Sequence, residues 1–233
     1  MLNSGARPDF RRLIVPGVLT LVMLGTLLSL GAWQLHRRTW KLALLADIDR
    51  GEAAPAVPLP AAPSAFAKVR VEGRFRDDLQ AFYGSDVREL PGRTALGAQL
   101  IEPFERPGAL PVVVDRGWVP TGPGSSIAPG GTVVEGYVRL PETPGVLSAR
   151  DDPASRTFYT LDPAAIGAAL GLPAVAPFTL VALGTASPGV VPIPATALPR
   201  PPNDHLNYAS TWFSLAVVLA AVFLTWSRKV LRP

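Results

Sequence analysis

The chain has 233 residues with two histidines, no cysteine and a formal net charge of +4. The absence of cysteine excludes disulfides, thiolate nucleophiles, iron–sulfur clusters and cysteine-ligated metal sites. Three basic segments, residues 1–12, 36–41 and 228–233, carry +8 together, which leaves −4 on the remainder. This distribution argues against a nucleic-acid-binding face, which needs a basic patch interleaved with aromatic residues.

Two uncharged runs near the chain ends are long enough to cross a bilayer. Leu13–Leu35 has 23 residues and Leu206–Ser227 has 22, whereas a transmembrane helix needs about 20. We therefore predict a membrane protein with two transmembrane helices. A cleaved signal peptide is the alternative for the first run, because small residues lie near its end. Signal cores, however, span only about 7–15 residues.

Basic residues beside the second run predict the topology. Arg228, Lys229 and Arg232 follow the run, whereas Arg200 alone closely precedes it, so we expect the C-terminus in the cytoplasm. Two crossings then place both termini in the cytoplasm and the central domain outside. Only 12 residues precede the first run, which leaves little room for a mitochondrial transit peptide. We therefore expect a multi-pass protein of the bacterial cytoplasmic (inner) membrane.

Short segments between the two runs alternate polar and apolar residues, which predicts β-strands. The predicted strands are 68–73, 95–104, 110–119, 132–140 and 178–183. One helix is predicted from Pro163 to about Leu170, with Asp162 as its N-cap and Gly171 after its end. These elements predict one mainly antiparallel β (α+β) extracytoplasmic domain, built as a sheet or as a partly open barrel.

The domain boundaries follow from these segments. They are a cytoplasmic tail at 1–12, transmembrane helix 1 at 13–35, a helix extension at 36–50, a linker at 51–65, a periplasmic β-rich domain at 66–184, a proline-rich return at 185–204, transmembrane helix 2 at 205–227 and a cytoplasmic tail at 228–233. Six prolines lie within 185–202, so we expect the return to be stiff, extended and unpacked.

The predicted outer end of helix 1 is both cationic and aromatic. Trp33, Arg37 and Trp40 share one helix face by i, i+4, i+7 spacing, so the guanidinium can stack between two indoles. Arg37 and Arg38 can also reach lipid phosphates of the outer leaflet, with the indoles in the aromatic belt. Lipid anchoring is therefore one interpretation of this segment, and binding of an anionic ligand is the other.

Three motif blocks occur in order along the chain. Leu30–Lys41 reads L-G-A-W-Q-L-H-R-R-T-W-K, Val114–Pro120 reads V-D-R-G-W-V-P, and Asn203–Trp212 reads N-D-H-L-N-Y-A-S-T-W. Together with the two spans they resemble the signatures of the surfeit locus protein 1 family, bacterial type, across nearly the whole chain. The resemblance implies a non-enzymatic assembly factor for haem–copper cytochrome c oxidase that assists haem a delivery or insertion. It implies the oxidase catalytic subunit as a partner, with haem a synthase as a further candidate.

The resemblance also implies that His205, at the start of helix 2, is a ligand of haem a iron. Helical spacing puts Tyr208 and Trp212 on the same stripe, where they would form walls for the porphyrin. Haem propionates need cations nearby. The candidates are Arg37, Arg38 and, further away in the sequence, Arg116.

Two further roles complete this hypothesis. A histidine ligand usually donates its other N–H to an acceptor, for which Asn203 and Asp204 are candidates. His36 is a candidate second iron ligand, because both helices end in the same leaflet, although the family motif gives this position no role.

Other interpretations of the same residues remain open. Histidine, tyrosine and tryptophan at a membrane boundary can act only as interfacial anchors. A haem-free membrane chaperone or scaffold for the oxidase subunit would dock through the predicted turn at 116–120 and the outer helix face. A membrane-anchored enzyme would need a nucleophile–base pair, which is not recognisable. The acidic pairs Asp77–Asp78 and Asp151–Asp152 are typical of solvated turns.

Overall fold

A computed structural model describes residues 11–90, 93–121, 126–146, 148–185 and 187–232. The chain divides into two compact units, which are Met1–Ala46 with Arg200–Pro233, and Asp47–Pro199. We call the described part of the first unit the helix pair and that of the second the β domain.

The helix pair contains two long helices, α1 (Arg11–Ala53) and α3 (His205–Leu231). The last turns of α1, from residue 47 onward, belong to the β domain. Both helices are long and apolar enough to cross a membrane by length and composition. Their large apolar side chains are exposed, as Leu21 (69%) and Val217 (70%) illustrate. Such a surface suits a lipid solvent and would be costly in water.

Small residues let the two helices approach each other closely. A Cβ atom added at Gly31 would lie 2.6 Å from the Phe213 ring, so the ring packs directly on the α1 backbone. Ala209 and Ala216 of α3 are also buried. Small residues at a helix–helix contact are typical of packing within membranes, where close backbone approach replaces the hydrophobic effect.

The described part of the β domain contains one nine-stranded mixed sheet. Its strands are β1 (Val57–Pro58), β2 (Lys68–Glu72), β3 (Arg74–Phe75), β4 (Ala81–Leu90), β5 (Arg93–Arg106), β6 (Ala109–Pro120), β7 (Val133–Arg139), β8 (Thr157–Phe158) and β9 (Thr179–Ala182). The order is β1-β2-β7-β9-β6-β5-β4-β8, with β3 paired to β5. The longest pairs are antiparallel, whereas β1–β2, β4–β8 and β6–β9 are parallel.

All five predicted strands are present, as β2, β5, β6, β7 and β9. The prediction missed β4, because a glycine and a bulge between Tyr83 and Asp86 interrupt its alternation. The segment 51–65, expected as a linker, contains β1, which pairs with β2. The sheet is mainly antiparallel as expected, with three short parallel pairs that make it mixed.

Both faces of the sheet carry a hydrophobic cluster, because successive residues of β6 point to opposite faces. Val112 and Val114 belong to one cluster with Phe104, whereas Val113 belongs to the other with Ile101. Helix α2 (Pro163–Ala169) covers the second cluster with Ile166 and its following residue Leu170. As predicted, the Asp162 carboxylate caps α2 by accepting from the Ala164 N–H at 2.9 Å, and Gly171 follows with φ of +77°.

The proline-rich return packs along β6, so the prediction of an unpacked segment is wrong. Ile193 and Trp118 exchange both backbone hydrogen bonds, at 2.8 and 2.9 Å. Gly117 has φ of +121°, and a Cβ atom there would lie 2.1 Å from the Ile193 carbonyl oxygen. The prolines therefore do not prevent pairing, since the intervening residues still offer N–H donors to the sheet.

Candidate functional site

A polar contact joins the two helices of the helix pair. The Nδ1 atom of His205 lies 2.8 Å from the Oε1 atom of Gln34. His205 is the first residue of α3 and is half-buried, and Gln34 lies in the α1 motif block. Because an amide oxygen only accepts, Nδ1 carries the proton and donates it to Gln34. With the proton on Nδ1, Nε2 is the ring nitrogen that can bind a metal.

The hydrogen-bond partner of the His205 imidazole is Gln34, which differs from the expected partner. The sequence indicates Asn203 or Asp204 as the acceptor, yet neither side chain accepts a hydrogen bond from His205 among the described residues. The Oδ1 atom of Asn203 is buried without a hydrogen-bond partner there. Gln34 lies within the first motif block, and no local pattern assigns it a role. Only the rotation of α1 against α3 identifies it as the acceptor.

Tyr208 and Trp212 lie on the same face of α3 as His205, as predicted, but they do not enclose a cavity. Tyr208 is 57% exposed, and Trp212 is half-buried. No ring contact joins Tyr208 to Trp212 within the described chain. Their faces are thus open to a large planar group or to lipid.

The cationic end of the α1 span is partly arranged as predicted. The Arg37 guanidinium stacks on the Trp40 ring at 3.9 Å from its centroid. Trp33 is 55% exposed and does not complete the predicted sandwich. Neither Arg37 nor Arg38 has a carboxylate partner among the described residues, so both can meet an anion.

His36 lies on a different side of α1 from the polar contact. It follows Gln34 by two residues, which is a rotation of about 200° around an α-helix. Its side chain is exposed. Because Gln34 is the α1 residue that meets His205, the geometry argues against His36 as a second ligand of the same iron.

Arg116 is not available for a propionate, which corrects the prediction. Its side chain is 8% exposed, and its Nη1 atom lies 2.5 Å from the Oε2 atom of the fully buried Glu102. Its Nη2 atom donates to the Ala128 carbonyl oxygen at 2.6 Å. Trp118 and Val119 are also buried. The predicted docking turn at 116–120 is therefore a buried part of β6.

The donor set is compatible with haem and not with a metal held by side chains alone. Among the described residues there is no group of three or more histidine, cysteine, aspartate or glutamate side chains that could hold a metal ion. Haem brings four nitrogens of its own and needs only one or two axial ligands from the protein. A single histidine with a free Nε2 meets that requirement.

Comparison with known proteins agrees with the motif blocks. The model of the SURF1 family matches residues 21–217, a range that contains both Gln34 and His205. Surfeit locus protein 1 of Xenopus tropicalis is 28% identical over 88% of this chain and 72% of its own length. The human protein of the same name is 29% identical over 89% and 75%.

A bacterial relative extends the similarity. The SURF1-like protein of Rickettsia conorii is 26% identical over 87% of both chains. The resemblance inferred from three motif blocks is thus confirmed over most of the sequence. This chain belongs to the SURF1 family.

Proposed function

We propose that this protein is a membrane-anchored assembly factor for cytochrome c oxidase that holds haem a at His205 before its insertion into the catalytic subunit. The SURF1 family is known for cytochrome c oxidase assembly, and membership supports the general role. The contact between His205 and Gln34 carries the haem part of the proposal. It unites two of the motif blocks in one polar pair.

The pair has the hydrogen-bonding arrangement that metal-ligating histidines usually have. The N–H opposite the metal-binding nitrogen is normally held by a carbonyl or carboxylate oxygen, which fixes the tautomer and the ring plane. Gln34 Oε1 takes that position, so Nε2 is oriented for iron. When bound, haem a supplies the iron and the large apolar ring.

The surroundings suit the rest of that ring. Tyr208 and Trp212 lie one and two turns along α3 from His205 and offer aromatic surface. Arg37 and Arg38 on α1 offer guanidinium groups for two propionates. The proposed topology has both termini in the cytoplasm of a bacterium and the β domain outside. Haem a synthase would then be the donor and the oxidase catalytic subunit the acceptor.

The first test is the haem content of the full chain purified in detergent from cells that make haem a. We expect a haem absorption spectrum for the natural sequence and its loss in His205→Ala. The matched control is His36→Ala, the other histidine, which should keep the haem. An unchanged spectrum in His205→Ala would remove the ligand. If the natural sequence takes up haem only nonspecifically, the haem-free scaffold is the better description.

The second test addresses Gln34. Gln34→Leu removes the acceptor, and we expect haem affinity to fall about 10–100-fold, as when other metal-ligating histidines lose the acceptor of their N–H. Gln34→Glu offers a stronger acceptor, so the imidazole donates more electron density and the haem reduction potential should fall. Equal affinity and potential in all three proteins would show that Gln34 does not position the ligand.

The absence of native cysteine makes the topology directly testable. Val146 is fully exposed in the β domain, and Arg232 lies in the C-terminal tail. In intact cells we expect a membrane-impermeant maleimide to label Val146→Cys but not Arg232→Cys, which should react only after lysis. The reverse pattern would place the β domain in the cytoplasm.

A further inference from the structure

We propose that the β domain holds a second site, a polar pocket of about 430 Å³ that binds a small zwitterion carrying an ammonium and an acidic group. This inference does not depend on haem binding by the helix pair. All residues that line the pocket lie within 83–197, in the β domain.

Residues of five neighbouring strands line the pocket floor. Tyr137 of β7 pairs with Val181 of β9, which pairs with Asp115 of β6. Asp115 pairs in turn with Ile101 of β5, and Gln99, two residues before Ile101, pairs with Tyr83 of β4. Asp115 and Tyr137 are buried there, in a place where apolar side chains are usual.

The central carboxylate of the pocket floor has few partners. Asp115 is 4% exposed and accepts one hydrogen bond, from the Gly117 N–H at 3.0 Å. No arginine, lysine or histidine forms an ion pair with it among the described residues. Burial raises the pKa of Asp115 to about 6, so the carboxyl group is largely ionised at neutral pH. The charges of Arg139 and Arg88 oppose this rise without forming an ion pair with Asp115, so the carboxylate keeps acceptor capacity for a ligand.

A second buried polar group faces the same space. The Tyr137 side chain is 5% exposed, and its hydroxyl makes no hydrogen bond within the described chain. Burial raises the pKa of this phenol to about 12, so it stays protonated and can donate. The Tyr137 hydroxyl and the Asp115 carboxylate, which has one backbone donor, therefore line the same pocket.

Guanidinium groups lie at the same pocket. The side chains of Arg88 and Arg139 are 35% and 27% exposed. Each forms an ion pair with a neighbouring acid, Asp86 and Glu142, but a guanidinium has five N–H donors and these pairs use few of them. The remaining donors suit a carboxylate or phosphate group of a ligand.

These charges select the ligand class. A simple anion would meet the Asp115 carboxylate, and a simple cation would meet Arg88 and Arg139. A molecule with both charges can place its ammonium at Asp115 and its acidic group at the guanidiniums. The proline-rich return forms the roof, with Ile193, Pro194 and Thr196 among the lining residues. A pocket of about 430 Å³ suits a small ligand better than a polymer.

The test is isothermal titration calorimetry of the full chain in detergent with glycine, β-alanine and 4-aminobutyrate. The three probes differ only in the separation of their charges, and propionate and propylammonium are the single-charge controls. We expect saturable binding of at least one zwitterion with a Kd of about 1 mM or tighter, and binding at least about 10-fold weaker for the single-charge controls.

Variants assign the binding to the pocket. Asp115→Asn should weaken the zwitterion at least about 10-fold, and Tyr137→Phe a few-fold. Asp78→Asn is the matched control, because Asp78 is exposed and pairs with Arg76 outside the pocket. Hydrogen-exchange protection of β6 equal to or above that of the natural sequence would show that the variants are folded. No saturable binding of any of the three probes, or equal binding by Asp115→Asn, would overturn the site. Haem content should be unchanged in all of these variants.

Discussion

Two buried carboxylates on opposite faces of the sheet, Glu102 of β5 and Asp115 of β6, have different sets of partners. On one face, Glu102 is fully buried, forms an ion pair with Arg116 and accepts a hydrogen bond from the Gln80 amide at 2.7 Å. On the other face, Asp115 has a single backbone donor and opens into a polar pocket. Arg116, the partner of Glu102, directly follows Asp115 in β6.

Glu102 is therefore held by partners within the fold, whereas Asp115 keeps acceptor capacity for a ligand. Burial raises the pKa of Glu102, but the Arg116 guanidinium and the Gln80 amide oppose the rise and satisfy the charged form. Burial also raises the pKa of Asp115, and there the Gly117 N–H opposes it as the one hydrogen bond. A satisfied network rigidifies a core, whereas an unsatisfied polar group points to a ligand or a reaction.

Removal of Arg116 should have the largest effect on stability. Arg116→Met leaves Glu102 as a buried charge without its cation, and we expect a loss of about 3–5 kcal/mol in the free energy of unfolding. Hydrogen exchange of β5 and β6 amides in the full chain measures this loss by mass spectrometry. The double variant Arg116→Met/Glu102→Gln should recover part of it. A loss below about 1 kcal/mol in the single variant would mean that Glu102 is not held by Arg116.

Replacement of Asp115 should act in the opposite direction. The pKa of this carboxyl is about 6 in the folded protein and about 3.9 in an unfolded chain, so the folded state binds the proton more tightly. The stability that Asp115 contributes is thus present below about pH 4 and lost as the pH rises through 6. Asp115→Asn lacks this titration and should be more stable at pH 7.5, by up to about 3 kcal/mol.

The measurement for Asp115→Asn is amide protection in β6 at several pH values, each corrected for the intrinsic exchange rate. Between pH 4 and 6 the natural sequence should lose stability relative to the variant. Parallel pH profiles would show that Asp115 has a partner that keeps it ionised. A gain in stability together with a loss of zwitterion binding would identify a site that trades stability for function.

Sequence patterns predict the helices and strands of this molecule better than they predict its side-chain contacts. The α2 helix was predictable from Asp162, Pro163 and Gly171, because capping is a local property of a few residues. His205 was found through its motif block, but its acceptor Gln34 was not, since the two lie 171 positions apart and meet only through helix packing.

The polar pocket was beyond sequence reasoning for a related reason. Asp115 lay within a quoted motif, and Tyr137 within a predicted strand, and each looked like an ordinary strand residue. Their alignment depends on β9 inserting between β6 and β7, a register that no local pattern encodes. Arg116 was misassigned because an arginine in a glycine-containing motif suggested an exposed turn, whereas its bulge position on β6 turns it toward Glu102.

The smallest effect should come from the tyrosine without a partner. Tyr137→Phe deletes a hydroxyl that makes no hydrogen bond within the described chain, so β7 protection should change by less than about 0.5 kcal/mol. Tyr83→Phe is the matched control, because its hydroxyl donates to Glu142 at 3.2 Å. That loss should cost about 1–2 kcal/mol, since the acceptor is charged. Equal costs would mean that the Tyr137 hydroxyl already has a partner in the folded protein and is not available to a ligand.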